Sequence, residues 1–80
     1  MDSTNETNTI AVPPALALVI NGRPLTVSAL TLADLLTETG YGDAKIATAR
    51  NGDFVPERLR ANTKLANGDR IEILSPRQGG

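Results

Sequence analysis

Apolar residues in this chain fall into short blocks separated by Asn, Gly and Pro. Leu16-Ala17-Leu18-Val19-Ile20 is a continuous apolar run, the pattern of a strand covered on both faces or central in a sheet. Asn21-Gly22 follows and supplies the two positive φ angles of a type I′ turn, so a hairpin is predicted. Its return strand is Pro24-Leu25-Thr26-Val27, and a Pro without a donor places that strand at the sheet edge. The period then changes. Leu32, Leu35 and Leu36 fall at i, i+3 and i+4 and make one helical stripe. Thr31 is a suitable N-cap, Asp34 stands at the capping-box position in place of the usual Glu, and Gly40 suits the C′ position. A helix of about two turns cannot stand alone, so it must pack on the sheet.

Lys45 to Arg50 reads as a third strand, turned by Asn51-Gly52 into a short return, Phe54-Val55-Pro56. Glu57 to Lys64 is a polar connection with Leu59 as its expected anchor. A third turn, Asn67-Gly68-Asp69, precedes Arg70-Ile71-Glu72-Ile73-Leu74, where apolar and charged residues alternate as in a strand with one buried face. A lone hairpin is marginal, so the final strand must join it. Placing that strand beside Leu16–Ile20 makes the apolar run internal, with the helix on one face. This is an α+β domain of the β-grasp, or ubiquitin-like, arrangement: a mixed sheet with one main helix. Leu16, Val19, Leu32, Leu35, Leu36, Ile46, Leu65, Ile71 and Ile73 are the expected core. Phe54 is assigned to the core ahead of an interface, and Phe54 and Leu74 are the candidates for a partner-facing surface. Asp34 is read as a cap, and Asp43, Asp53 and Asp69 as turn residues before metal ligands.

The ends differ from the middle. Residues 1–15 contain Asp, Ser, Thr, Asn and Glu, then Pro13-Pro14, and offer few groups to offset ordering entropy, so they are expected to form a mobile extension to a domain over 16–74. Residues 75–80, Ser75-Pro76-Arg77-Gln78-Gly79-Gly80, contain nothing that could pack and are expected to form a flexible tail.

Composition narrows the chemistry. The 80 residues contain no Cys, His or Trp, which excludes a disulfide framework, Cys/His zinc sites, a thiol nucleophile and an imidazole base. Eight Lys/Arg against nine Asp/Glu leave a net charge of −1, unlike a protein built to neutralise phosphates, so nucleic acid is not an expected partner. The longest apolar run, Ala15 to Ile20, is far short of the ~20 residues that span a bilayer. The N-terminus lacks a basic region followed by an apolar stretch, so no secretory signal is read and a cytoplasmic location is the default. No metal or bound cofactor is expected.

Asn21-Gly22, Leu32-Ala33-Asp34-Leu35-Leu36, Asn51-Gly52-Asp53-Phe54-Val55-Pro56, Asn67-Gly68-Asp69-Arg70-Ile71-Glu72-Ile73-Leu74 and Gly79-Gly80, taken in order and spacing, resemble the ThiS family of sulfur carriers in thiamine biosynthesis. The resemblance runs over about residues 16 to 80. It implies a carrier rather than an enzyme. A ThiF-like adenylyltransferase would use ATP to adenylylate the C-terminal glycine. Sulfur originating from a cysteine desulfurase would convert the acyl-adenylate to a thiocarboxylate, and a ThiG-like thiazole synthase would draw that sulfur into the thiazole. Gly80 would be the reacting residue, with Gly79, Gln78, Arg77 and Pro76 as the segment threaded into a partner channel; Arg77 reads as a solvated charge or as guidance into an acidic channel.

The tail suits such chemistry. A terminal carboxyl with an ordinary pKa of ~3.5 is ionised at neutral pH and can attack the α-phosphate of ATP. Two glycines leave no Cβ near the reacting carbon, so an enzyme can close on the backbone. Six residues reach roughly 20 Å. The nearest rival, a MoaD-like subunit of molybdopterin synthase or a carrier for another thiolation pathway, shares this chemistry. The Asn-Gly-Asp-Phe-Val-Pro segment and the absence of a Pro-Pro-Val-Ala lead-in favour ThiS. A ubiquitin-like binding module with an inert tail is the rival of another class. A stand-alone enzyme is disfavoured because no nucleophile-base pair is visible.

Overall fold

The computed structural model describes residues 15–42 and 45–75. Their elements follow the predicted order: β1 (Leu16–Ile20), β2 (Arg23–Val27), α1 (Leu32–Glu38), β3 (Ala47–Arg50), β4 (Asp53–Val55), a 3₁₀ helix (Glu57–Asn62) and β5 (Arg70–Leu74). The five strands form one sheet in the order β2-β1-β5-β3-β4. β5 runs parallel to β1 and antiparallel to β3, while β1–β2 and β3–β4 are antiparallel hairpins. The helix lies over one face. This mixed sheet with one main helix is the β-grasp.

Each hairpin turns as its sequence requires. Asn21 and Asn51 have φ of 50° and 52°, and the Gly after each has φ of 82° and 88°, the double left-handed geometry of a type I′ turn. Ile20 opposite Arg23 closes the first hairpin, so Pro24 opposite Val19 falls at the alternate position, where the strand's backbone faces outward. Its missing donor therefore costs no ladder bond and blunts the β2 edge.

The helix is capped at both ends. Thr31 is the extended N-cap, and its Oγ1 accepts from the Asp34 N–H at 3.1 Å. At the other end Gly40 adopts φ 93°. Its N–H donates to the Thr37 carbonyl and that of Tyr41 to the Leu36 carbonyl, which is a Schellman closure. Backbone bonds from Leu32 to the Thr63 carbonyl and from Leu65 to the Leu30 carbonyl clip the helix start to the segment leaving the 3₁₀ helix.

Between helix and sheet lie Leu18, Val27, Ala29, Leu32, Leu35, Leu36, Val55, Leu65, Ile71 and Ile73, with Leu16, Ile20, Tyr41 and Ile46 packed at the margin. Six of the expected core residues are fully in place, and Leu16 and Ile46 are marginal. Val19 is corrected: it is half-buried and alternates away from the helix, while Leu18 is 2% exposed. Pairing of Leu18 with Leu25 and Leu16 with Val27 sets that alternation, which an unbroken apolar run conceals. β1 is internal, but no described element covers the sheet face away from the helix, so among the described residues the run is packed on one side.

Two more expectations are overturned. Phe54 is not in the core: it is 68% exposed. β4 has only three residues, and Val55, 8% exposed, takes the inward position, so its neighbour must point outward. Leu59 does not anchor the connection. That stretch is a 3₁₀ helix whose inward residue is Arg60, with Nε donating to Thr48 Oγ1 and a terminal nitrogen donating to the Ile46 carbonyl.

Asp69 is more than a turn residue. It is 5% exposed and accepts from Arg50 Nε at 2.7 Å, Asn51 Nδ2 at 3.0 Å and the Ala66 N–H at 2.8 Å. Burial raises its pKa, but these hydrogen bonds and the Arg50 charge outweigh that and hold the carboxyl below its ordinary value.

Candidate functional site

The expected tail residues Pro76, Arg77, Gln78, Gly79 and Gly80 lie outside the described residues, as do the extension before Ala15 and Asp43. What the structure presents is the root from which the tail departs. β5, the middle strand, ends at Leu74, followed by half-buried Ser75. Leu74 is paired on one side with Ala47 of β3. On the other side β1 has already stopped at Ile20, and the Asn21 side chain takes over. Its Oδ1 accepts from the Ile73 N–H at 2.8 Å and its Nδ2 donates to the Ile73 carbonyl at 3.2 Å.

Around this root the uncovered sheet face carries large apolar groups. Phe54 is opposite Ala49 and Leu74 is opposite Ala47. Ala47 and Ala49 are two apart on β3, so all four side chains share one face, while Thr48 between them is buried on the other. Phe54 and Leu74, 68% and 66% exposed, stand about 12 Å apart, two strand spacings across and two residues along, over a floor of two methyl groups. The structure thus brings both interface candidates onto one surface, directly beside the tail root. Sequence reasoning reached them separately and missed Asn21 as anything beyond a turn former; the signal available was an Asn, whose amide can both donate and accept, at the end of the strand that β5 must join.

Elsewhere the chemistry is sparse. Among the described residues no group of three His, Cys, Asp or Glu could hold a metal, and no helix is long and apolar enough to cross a membrane. A shallow groove beside β2 is lined by Ile20, Arg23, Leu25, Thr39 and Tyr41 among others. It gathers no nucleophile and base of the kind hydrolytic or transfer chemistry needs.

The chain is 39% identical over 64 residues to a thiazole synthase of Paramagnetospirillum magneticum; the match takes 79% of this chain but spans only 20% of that protein's length. It is 33% identical over 66 residues to the uncharacterized protein ycf40 of Porphyra purpurea, covering 81% of this chain and 93% of that one. The solved structure of the thiamine biosynthesis protein ThiS from Geobacter metallireducens superimposes with a TM-score of 0.69 at 28% identity, covering 81% of this chain and all of that one. The sequence model of the ThiS family matches residues 16–80, from the first residue of β1 through Gly79-Gly80. That match takes in every described strand and the helix of the β-grasp: the chain belongs to the ThiS family.

Proposed function

We propose that this chain is a sulfur carrier for thiazole formation in thiamine biosynthesis, acting as a co-substrate and not as a catalyst. The observation that carries the reading is that the family match extends through Gly79-Gly80, the segment that continues from the exposed end of β5. In this reading the Gly80 carboxylate attacks the α-phosphorus of ATP on a ThiF-like adenylyltransferase, and pyrophosphate leaves. The outer sulfur of a persulfide, supplied indirectly by a cysteine desulfurase, then displaces AMP, and a thiol reductant cleaves the resulting acyl disulfide, itself ending in a disulfide, to leave a thiocarboxylate. A ThiG-like thiazole synthase takes up that sulfur. The chain binds no cofactor of its own; ATP belongs to the activating enzyme.

Phe54 and Leu74 form the docking surface in this scheme. Leu74 is both the last residue of β5 and a member of the exposed pair, so a protein seated there lies where the tail emerges. Exposed aromatic and aliphatic groups around a shallow floor are the composition of an interface anchor. Similarity to a stretch of a protein called thiazole synthase favours a synthase as one occupant. A soluble interaction module with an inert tail would use the same face without any change at Gly80.

Incubation with ATP and the organism's activating enzyme should release pyrophosphate, and a sulfur donor should then replace one oxygen by sulfur in the C-terminal peptide. Deleting Gly80 shortens the reach by ~3.3–3.6 Å, and misplacement by ~1 Å can cost about a hundredfold in rate. Turnover should therefore almost vanish while the melting temperature stays that of the parent protein. Sulfur mapping to any residue other than the terminus, or normal thiocarboxylation of the shortened chain, contradicts the carrier reading.

A further inference from the structure

We propose that Asn21 is a positioning residue for the reacting tail, holding the root of the tail through the backbone of Ile73. The inference rests on the carrier reading and adds to it the group that fixes where the tail starts.

β1 and β5 pair as parallel strands only as far as Val19 with Arg70 and Ile20 with Ile71. Beyond that point β1 turns away into the Asn21-Gly22 hairpin, and β5 continues for three more residues toward Ser75. On that side the Ile73 N–H and C=O would face outward with no strand beside them. Asn21 fills the gap. Its own N–H donates to the Ile71 carbonyl at 2.9 Å, and its side-chain amide both accepts from and donates to Ile73. One residue thus makes three hydrogen bonds to β5, and the side chain reproduces the donor and acceptor of a missing strand residue.

This clamp acts one residue before Leu74 and two before Ser75. It therefore fixes the end of β5, from which the tail departs, against the β1 side, while β3 ties Leu74 and Phe54 to one another. A partner that grips the exposed face and draws the tail to its active site needs a fixed distance between the two. Without the clamp, the end of β5 is held on the β3 side alone. Binding through Phe54 would survive, but the reacting carbon would be less often in place, so the loss should fall on kcat and not on KM.

Asn21→Gly is the test, because Gly keeps the left-handed turn geometry and removes only the side-chain amide. In the full chain, assayed with the activating enzyme and ATP, this variant should lose at least about tenfold in kcat for pyrophosphate release with KM for the carrier little changed. Amide exchange should quicken at Ile73 and leave the α1 amides as they were. Asn21→Asp retains an acceptor for the Ile73 N–H but no donor for its carbonyl, so it should recover part of the lost rate. Wild-type kcat and KM in Asn21→Gly would overturn the clamp while leaving the carrier reading intact. So would a loss of rate that tracks the unfolded fraction and disappears at a temperature where the variant is fully folded. Failure of the parent protein to be adenylylated would instead remove the carrier reading, and the positioning role with it.

Discussion

Asp69 accepts hydrogen bonds from a guanidinium, a side-chain amide and a backbone N–H at the point where β5 begins. Its carboxyl is held below its ordinary value by these partners, so the folded state favours the ionised form more than the unfolded chain does. The sign of the linkage follows: the stabilisation is present above the unfolded pKa and is lost as pH falls through the depressed folded value. Asp69→Asn, of nearly equal shape, removes this dependence and weakens the Arg50 contact. Thermal melts from about pH 6 to about pH 2 should show the parent protein losing more stability than the variant on the acid side. Parallel curves would mean that Asp69 is not ionised differently in the two states. The same acidic residue is legible in sequence only as part of an Asn-Gly-Asp turn, because its partners Arg50 and Asn51 lie 19 and 18 residues away. Arg60 escapes notice for a related reason: its donors are satisfied by Thr48 Oγ1 and the Ile46 carbonyl, neither of which marks the sequence as a buried site.

At the scale of elements, strong local patterns survive intact and short ones do not. The stripe of Leu32, Leu35 and Leu36, the Thr31 cap and Gly40 specify the helix independently of anything distant, and all three leucines are buried. Alternation in β5 similarly places Ile71 and Ile73 inward. In contrast β1 has apolar residues on both faces, so only its partners decide that Leu18, and not Val19, enters the core. β4 is too short to show a period, and Phe54 is misassigned for want of one. Because α1 makes a single apolar stripe against the sheet, truncation within it should act on the whole domain. Leu35, 0% exposed, should cost about 2–5 kcal/mol as Leu35→Ala, a large part of the ~5–15 kcal/mol expected of a small domain. Chemical denaturation would detect this directly, and an unchanged midpoint would mean that the helix face contributes little to the fold.

Across the whole molecule, the determinants of folding and of the proposed function occupy different sides of one sheet. Leu18, Ile71 and Ile73 pack with the helix leucines on one side, whereas Phe54 and Leu74 stand on the other face and Gly79-Gly80 follow from the central strand in sequence. Large exposed apolar groups on opposite edges of an alanine floor contribute little to the stability of the free domain, since unfolding exposes them hardly further. In a complex the same groups leave water, and hot-spot truncations of this type cost about 2 kcal/mol or more of binding. Phe54→Ser with Leu74→Ser should therefore leave the melting temperature close to that of the parent protein. It should weaken binding to the activating enzyme by at least about thirtyfold, the equivalent of ~2 kcal/mol, as read by titration calorimetry on the full chain. If the double variant binds as tightly as the parent, the open face is not the docking surface; if it melts far below the parent, Phe54 and Leu74 support the fold in a way their exposure does not reveal. The first result would still leave a tail that could be engaged alone, and the Gly80 deletion separates that case, because it removes turnover without touching the face.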